Sequence, residues 1–261
     1  MLSLAYDARD VEGGLELSGI SDGMIHAFWG EDIVAVRGDA YFGGTQITDL
    51  LNLKHISGEG NFRYSSVTDL GKLTTIGGGA YFEGSPITSL GKLTTIGGNA
   101  YFEYSSVTDL GKLTTIGGNA RFVDSSVTDL GKLTTIGGNA FFEGSPITSL
   151  GKLTTIGESA CFVDSSVTDL GNLASIGWNA YFGYSSVTSL GNLASIGGNA
   201  YFDNSSITDL GNLRSIGETV FYLRNEFNPA RPAQLIEVGY AENDNYANWF
   251  KIREKRSRRI K

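Results

Sequence analysis

The chain repeats itself every twenty residues, without insertion, from about Ile33 to Phe227. Leucine recurs at Leu50, Leu70, Leu90 and onward to Leu210, with a second leucine three residues later (Leu53 through Leu213) and isoleucine three after that (Ile56 through Ile216). A small residue follows, as at Ala40, Ala80 and Ala100 through Ala200, and phenylalanine lies two further on, from Phe42 to Phe202. Serine occupies Ser65 through Ser205, and valine or isoleucine closes the unit, as at Val107 and Ile147. A fixed period of this length means that each unit is one supersecondary element with too little apolar surface to offset the entropy of ordering its own backbone. Stacking on neighbours supplies the missing burial, so the pattern predicts a solenoid.

Two spacings coexist within the unit. Ala-x-Phe alternates, which predicts a short strand with both residues on one face. The L-x-x-L-x-x-I segment has a spacing of three and predicts a tight turn or 3₁₀-like stretch. The glycine column Gly77, Gly97, Gly117 and onward to Gly217 is expected to supply a backbone angle that other residues resist. The next column is looser, since Glu158, Trp178 and Glu218 stand where the other units have a second glycine.

With its spacings, the unit resembles the short, twenty-residue leucine-rich repeat of bacterial effector proteins. Ala80–Leu90, "AYFEGSPITSL", aligns with that family's L-x-V-x-x-N-x-L-T-x-L, and the resemblance covers most of the chain. In this sequence Ala and Phe replace the two strand aliphatics, Ser replaces the ladder Asn, and Gly follows the first leucine where Pro is usual. The resemblance implies a right-handed, mainly β solenoid of about ten turns, with turns between its strands and one parallel sheet lining a concave face that binds other proteins. The boundaries are read as an N-terminal cap over 1–32, with "LELSGI" a strand and "MIHAFWGEDI" an apolar cover. The solenoid follows over 33–227, then a C-terminal cap over 228–250 and a basic tail over 251–261. Pro232 before "AQLIEV" predicts a short helix in the C-terminal cap.

Composition narrows the function classes. The formal charge is −8, which argues against nucleic-acid binding through bulk charge. The tail, "KIREKRSRRIK", holds seven basic residues and one acidic, a net +6, so the remainder carries −14. That tail is the one segment expected to touch nucleic acid or an anionic surface, and its ordinary role is that of a solvated terminus. The single cysteine, Cys161, excludes an internal disulfide framework and fits a reducing compartment. No basic segment followed by an apolar core opens the sequence, and no apolar run is long enough to span a bilayer, so a cytoplasmic location away from membranes is expected.

Catalysis is not expected. A phosphate loop requires four residues between its first glycine and Gly-Lys, then Ser or Thr. From Gly84 to Gly91 there are six, and Leu93 follows Lys92. Two histidines, His26 and His55, offer no metal-ligand spacing, and no nucleophile elbow is present. The sequence therefore predicts no catalytic residue, no cofactor and no metal.

Three outward columns remain. The residue between Ala and Phe reads Tyr41, Asn61, Tyr81, Tyr101, Arg121, Phe141, Cys161, Tyr181, Tyr201, Phe221, an aromatic ladder suited to rigid interface contacts. With the adjacent Glu83 and Glu103, the residues Tyr81, Tyr101, Trp178, Tyr181, Tyr184 and Tyr201 form the expected partner-binding set, centred on Trp178. An acidic set, with Glu83, Glu103, Asp124, Glu143, Asp164 and Asp203 just after the strand and Asp49, Asp69, Asp109, Asp129, Asp169 and Asp209 at the turn, admits an alternative reading as a nucleic-acid mimic or anti-defence inhibitor. Paired threonines at Thr74-Thr75 through Thr154-Thr155 admit a third, ice binding, though the array lapses at Ala174-Ser175 and lies in the segment expected to be a turn. The leading expectation is a non-enzymatic scaffold, bacterial or phage-encoded given the near-identity of its units, that binds a protein partner. A homodimer through an open end is also allowed.

Overall fold

Of the chain, the computed structural model describes residues 10–12, 15–16, 33–222 and 248–250. These build a parallel β-solenoid of about nine turns. Each twenty-residue turn gives one strand of two residues, or three at Ala35–Arg37 and Val220–Tyr222, to each of two sheets, and no helix occurs among the described residues. In the tyrosine sheet, twelve-stranded, Ala100–Tyr101 pairs with Ala80–Tyr81 and Ala120–Arg121. In the isoleucine sheet, eleven-stranded, Thr115–Ile116 pairs with Thr95–Ile96 and Thr135–Ile136. Between successive repeats the register is twenty residues, because any slip would turn the inward columns outward. Isolated bridges such as Asp109↔Asp129 tie the remaining edge of successive turns together.

The isoleucine sheet corrects the expectation of a tight turn over L-x-x-L-x-x-I. Leu110 and Leu113 do bracket a turn, closed by Leu113 N–H donating to the Leu110 carbonyl at 3.0 Å. The chain then extends, and Thr115–Ile116 joins a second parallel sheet. Each turn thus contributes to two sheets, where the leucine-rich resemblance implies one.

Between the sheets runs a continuous core. In one turn Val107, Leu110, Leu113, Ile116, Ala120 and Phe122 are all fully buried. The phenylalanines stack face on face from Phe42 to Phe202, with neighbouring ring centroids 5.0–5.5 Å apart. The serine column is buried as well, and where its hydroxyl is paired it turns inward on its own turn: Ser105 Oγ donates to the Phe102 carbonyl at 2.8 Å. An asparagine ladder lies beside the tyrosine sheet, where Asn119 N–H donates to Asn99 Oδ1 at 2.8 Å and Asn139 N–H to Asn119 Oδ1 at 2.7 Å.

Two glycine columns serve different ends. Gly71, Gly91, Gly111 and their equivalents have φ between 52° and 59°, the left-handed region, where Leu51 alone carries a side chain. The Gly77–Gly217 column is not left-handed, contrary to expectation. There, successive turns approach too closely for a side chain: a Cβ on Gly97 would meet the Gly77 carbonyl oxygen at 2.1 Å.

At the N-terminal end Asp10–Glu12 and Leu15–Glu16 each extend one sheet by a strand, placing part of "LELSGI" in a strand as expected. At the other end Asn248–Phe250 pairs antiparallel with Val220–Tyr222. The helix expected after Pro232, the segment "MIHAFWGEDI" and the basic tail 251–261 lie outside the described residues.

Candidate partner-binding face

Alternation in the tyrosine sheet turns Ala and Phe inward and half-exposes the residue between them, as at Ala80, Tyr81 and Phe82. The parallel register then stacks these outward residues one turn apart. Tyr81 and Tyr101 lie 4.9 Å apart, Tyr181 and Tyr201 4.6 Å, and Tyr201 and Phe221 4.4 Å between centroids. The expected ladder therefore exists, as two ring stacks separated by Arg121, Phe141 and Cys161.

Charge is woven into it. Arg63 sits 4.2 Å above the Tyr81 ring and donates through Nε and Nη2 to both oxygens of Glu83, each at 2.8 Å. That bidentate bond to Glu83 raises the arginine's pKa above its ordinary value. Arg121 Nε donates to Glu103 Oε1, and the guanidinium lies 4.9 Å over Phe141. Burial, then the charge of Glu59, raises the Tyr81 hydroxyl, which donates to Glu59 Oε1 at 3.2 Å. Burial and the neighbouring Tyr181 raise Tyr201 in the same direction. Glu83 and Glu103, expected in the binding set, are thus counter-ions to arginines of the chain itself. The sequence placed Arg121 in the outward column but passed over Arg63, and it showed neither pairing, since the partners lie 20 and 18 residues away.

Flanking this sheet are the most exposed aromatics. Tyr64, Tyr104 and Tyr184 are 75%, 74% and 65% exposed, and all three occupy left-handed turn positions after the strand. Trp178, 56% exposed, lies in the bend before Ala180–Tyr181, while Tyr184 follows that strand. Trp178 and Tyr184 therefore stand at opposite ends of one strand, with Tyr181 and its stacking partner Tyr201 between them. Where a side chain replaces the second glycine the ladder bond lengthens slightly, to 3.1 Å at Glu158 and Glu218 as at Trp178. Trp178 N–H to the Glu158 carbonyl is 3.1 Å, against 2.9 Å at the glycine-only step from Gly98 to Gly78.

The other two outward columns have structural partners. Asp109 Oδ1 accepts the Gly111 N–H at 2.8 Å, and its Oδ2 accepts from Ser89 Oγ at 2.8 Å. Such bonds close the turn, the ordinary task of a short acidic residue there. Thr94, Thr114 and Thr134 each donate Oγ1 to the threonine carbonyl one turn earlier, at 3.0–3.1 Å. The second threonine of each pair, Thr95 or Thr115, lies in a strand of the isoleucine sheet, which corrects the turn expected there.

Burial pushes the Cys161 thiol up to about 12, helped by a hydrogen bond with Glu143. Among the described residues no group of three or more His, Cys, Asp or Glu could hold a metal ion, and no helix is long and apolar enough to cross a membrane. The sequence matches no protein-family model, no curated protein and no solved structure.

Proposed function

We propose that this chain is a non-enzymatic β-solenoid scaffold that binds a protein partner through the tyrosine sheet and the aromatic turns beside it. One observation carries the reading: Tyr64, Tyr104, Trp178 and Tyr184 hold large aromatic side chains more than half exposed on a rigid frame. Tyrosine and tryptophan on a preorganised surface bind at low entropic cost and dominate interface energies. The stacked pairs Tyr81–Tyr101 and Tyr181–Tyr201, with Glu83 and Glu103 at their margin, extend the same surface. Near-identity of units such as Leu110–Ala120 and Leu130–Ala140 supports recent internal duplication, which suits a bacterial or phage-encoded recognition protein of the leucine-rich type. The lone cysteine suits the cytoplasm.

Affinity capture from host lysate tests the reading, comparing wild type with the double variant Trp178→Gly, Tyr184→Gly. Both substitutions return residues that the repeat already uses, at Gly198 and Gly144, so the fold is retained. Loss of a reproducible protein partner in the variant is expected. Capture of the same proteins in equal amount would remove the exposed aromatics from the interface, and with them this function.

A further inference from the structure

The aromatic ladder is interrupted three times, at Asn61, Arg121 and Cys161. At the first two interruptions the chain fills the break with a guanidinium. Arg63 covers Tyr81 and pairs with Glu83. Arg121 covers Phe141 and pairs with Glu103. Cys161 occupies the position of Arg121, two turns on. The strand register is the same: Arg121 lies between Tyr101 and Phe141, and Cys161 between Phe141 and Tyr181. Glu143 then stands to Cys161 as Glu103 stands to Arg121, eighteen residues back in each case.

The posture of the two glutamates agrees. Glu103 and Glu143 both bury Oε2 without a hydrogen-bond partner, and Glu103 offers Oε1 to its arginine. Glu143 has instead the half-buried Cys161 thiol beside it. A cysteine ends one atom beyond Cβ, so the length of an arginine side chain is missing between Glu143 and Tyr181. On either side stand the rings of Phe141 and Tyr181, two turns apart and so separated by about twice the 4.4–4.9 Å spacing of ring neighbours in this ladder. A planar group midway between them would restore the ladder's own spacing on both faces. An anionic wall selects a cation, and two ring faces select a flat one.

We propose that the gap at Cys161 receives one arginine side chain of a partner polypeptide, its guanidinium stacked between Phe141 and Tyr181 and paired with Glu143. This rests on the partner-binding reading of the tyrosine sheet and specifies what that sheet recognises. The chain's net charge of −8 favours the approach of such a cationic segment.

The test uses the full chain and a capped peptide, acetyl-Gly-Ser-Arg-Ser-Gly-amide, with lysine and citrulline counterparts, read from the ring resonances of Phe141 and Tyr181. Saturable shifts of both rings are expected with the arginine peptide, with affinity reduced about fivefold or more for lysine, which is not planar, and for citrulline, which is not charged. Cys161→Arg rebuilds the internal arrangement of Arg121 and should abolish the shifts without lowering the thermal midpoint, while Cys161→Ser should preserve them. Absence of saturable shifts, equal binding of citrulline, or undiminished binding by Cys161→Arg would overturn the proposal. Trp178→Gly with Tyr184→Gly leaves the gap intact and separates the two ideas. If that pair loses the captured partner while Cys161→Arg keeps it in full, the arginine receptor is wrong and the partner-binding face stands.

Discussion

Gly117 passes so close to Gly97 that a Cβ on Gly117 would lie 2.1 Å from the Gly97 carbonyl oxygen. The contact is with backbone of the preceding turn, and every turn from Gly97 to Gly217 repeats it on a glycine below. Relief therefore requires turns to part, at the expense of the ladder bond from Gly117 N–H to the Ile96 carbonyl, 2.8 Å long. Gly151 differs: its φ is 54°, and nothing lies within 4 Å of an added Cβ. Gly117→Ala should cost about 3 kcal/mol through overpacking, and Gly151→Ala about 1 kcal/mol through the left-handed backbone alone. Urea unfolding of the two variants checks the order. Equal losses would mean that the close approach of turns carries no special energy.

Acid should remove a specific stabilisation at the last turns. Asp209 accepts the Gly211 N–H at 2.9 Å and the Ser189 hydroxyl at 2.7 Å. Those bonds, the backbone one first, hold its pKa below the ordinary carboxylate value. Because the folded value is the lower one, the contribution is fully present above the ordinary carboxylate range and is lost as pH falls through the folded value. Asp209→Ser, which installs the residue found at Ser189, has no carboxylate to titrate. The gap in thermal midpoint between wild type and variant should therefore be wider at neutral pH and narrow on acidification. A gap that stays constant across that range would show that the charged form is not favoured by folding.

The period alone made the core legible. Each column read as inward (the two leucines, isoleucine, alanine, phenylalanine and the closing valine or isoleucine) is buried through the central turns, because a strict repeat forces every unit to the same solution. The isoleucine sheet escaped notice because the three-residue spacing of the leucines runs straight into its isoleucine, as at Leu110, Leu113 and Ile116, and masks the strand at Thr115–Ile116. Ala120-Arg121-Phe122 does alternate, and so the outward column and its aromatic character were readable. What it does with charge was not. Arg63 and Glu83 are a full turn apart, and their pairing depends on a stack whose spacing only the folded register sets. Glycine at Gly97 was rightly read as required, but for a dihedral reason; the cause is a neighbour twenty residues away, invisible to local sequence.

Cys161 should behave as an inert thiol until the solenoid opens. Burial is the main cause that pushes its pKa from 9.0 to about 12, with the Glu143 carboxylate adding to it. The thiolate is the reactive form, so iodoacetamide should alkylate the native protein at neutral pH more than about tenfold slower than the urea-unfolded chain. Stability follows the same sign. A thiol whose folded pKa is raised contributes fully below the unfolded value and loses that contribution as pH climbs from 9.0 toward about 12. Wild type should therefore lose more stability than Cys161→Ser over that alkaline interval, because the serine hydroxyl does not ionise there. Equal alkylation rates in native and unfolded protein would show that the thiol is neither shielded by burial nor suppressed by Glu143.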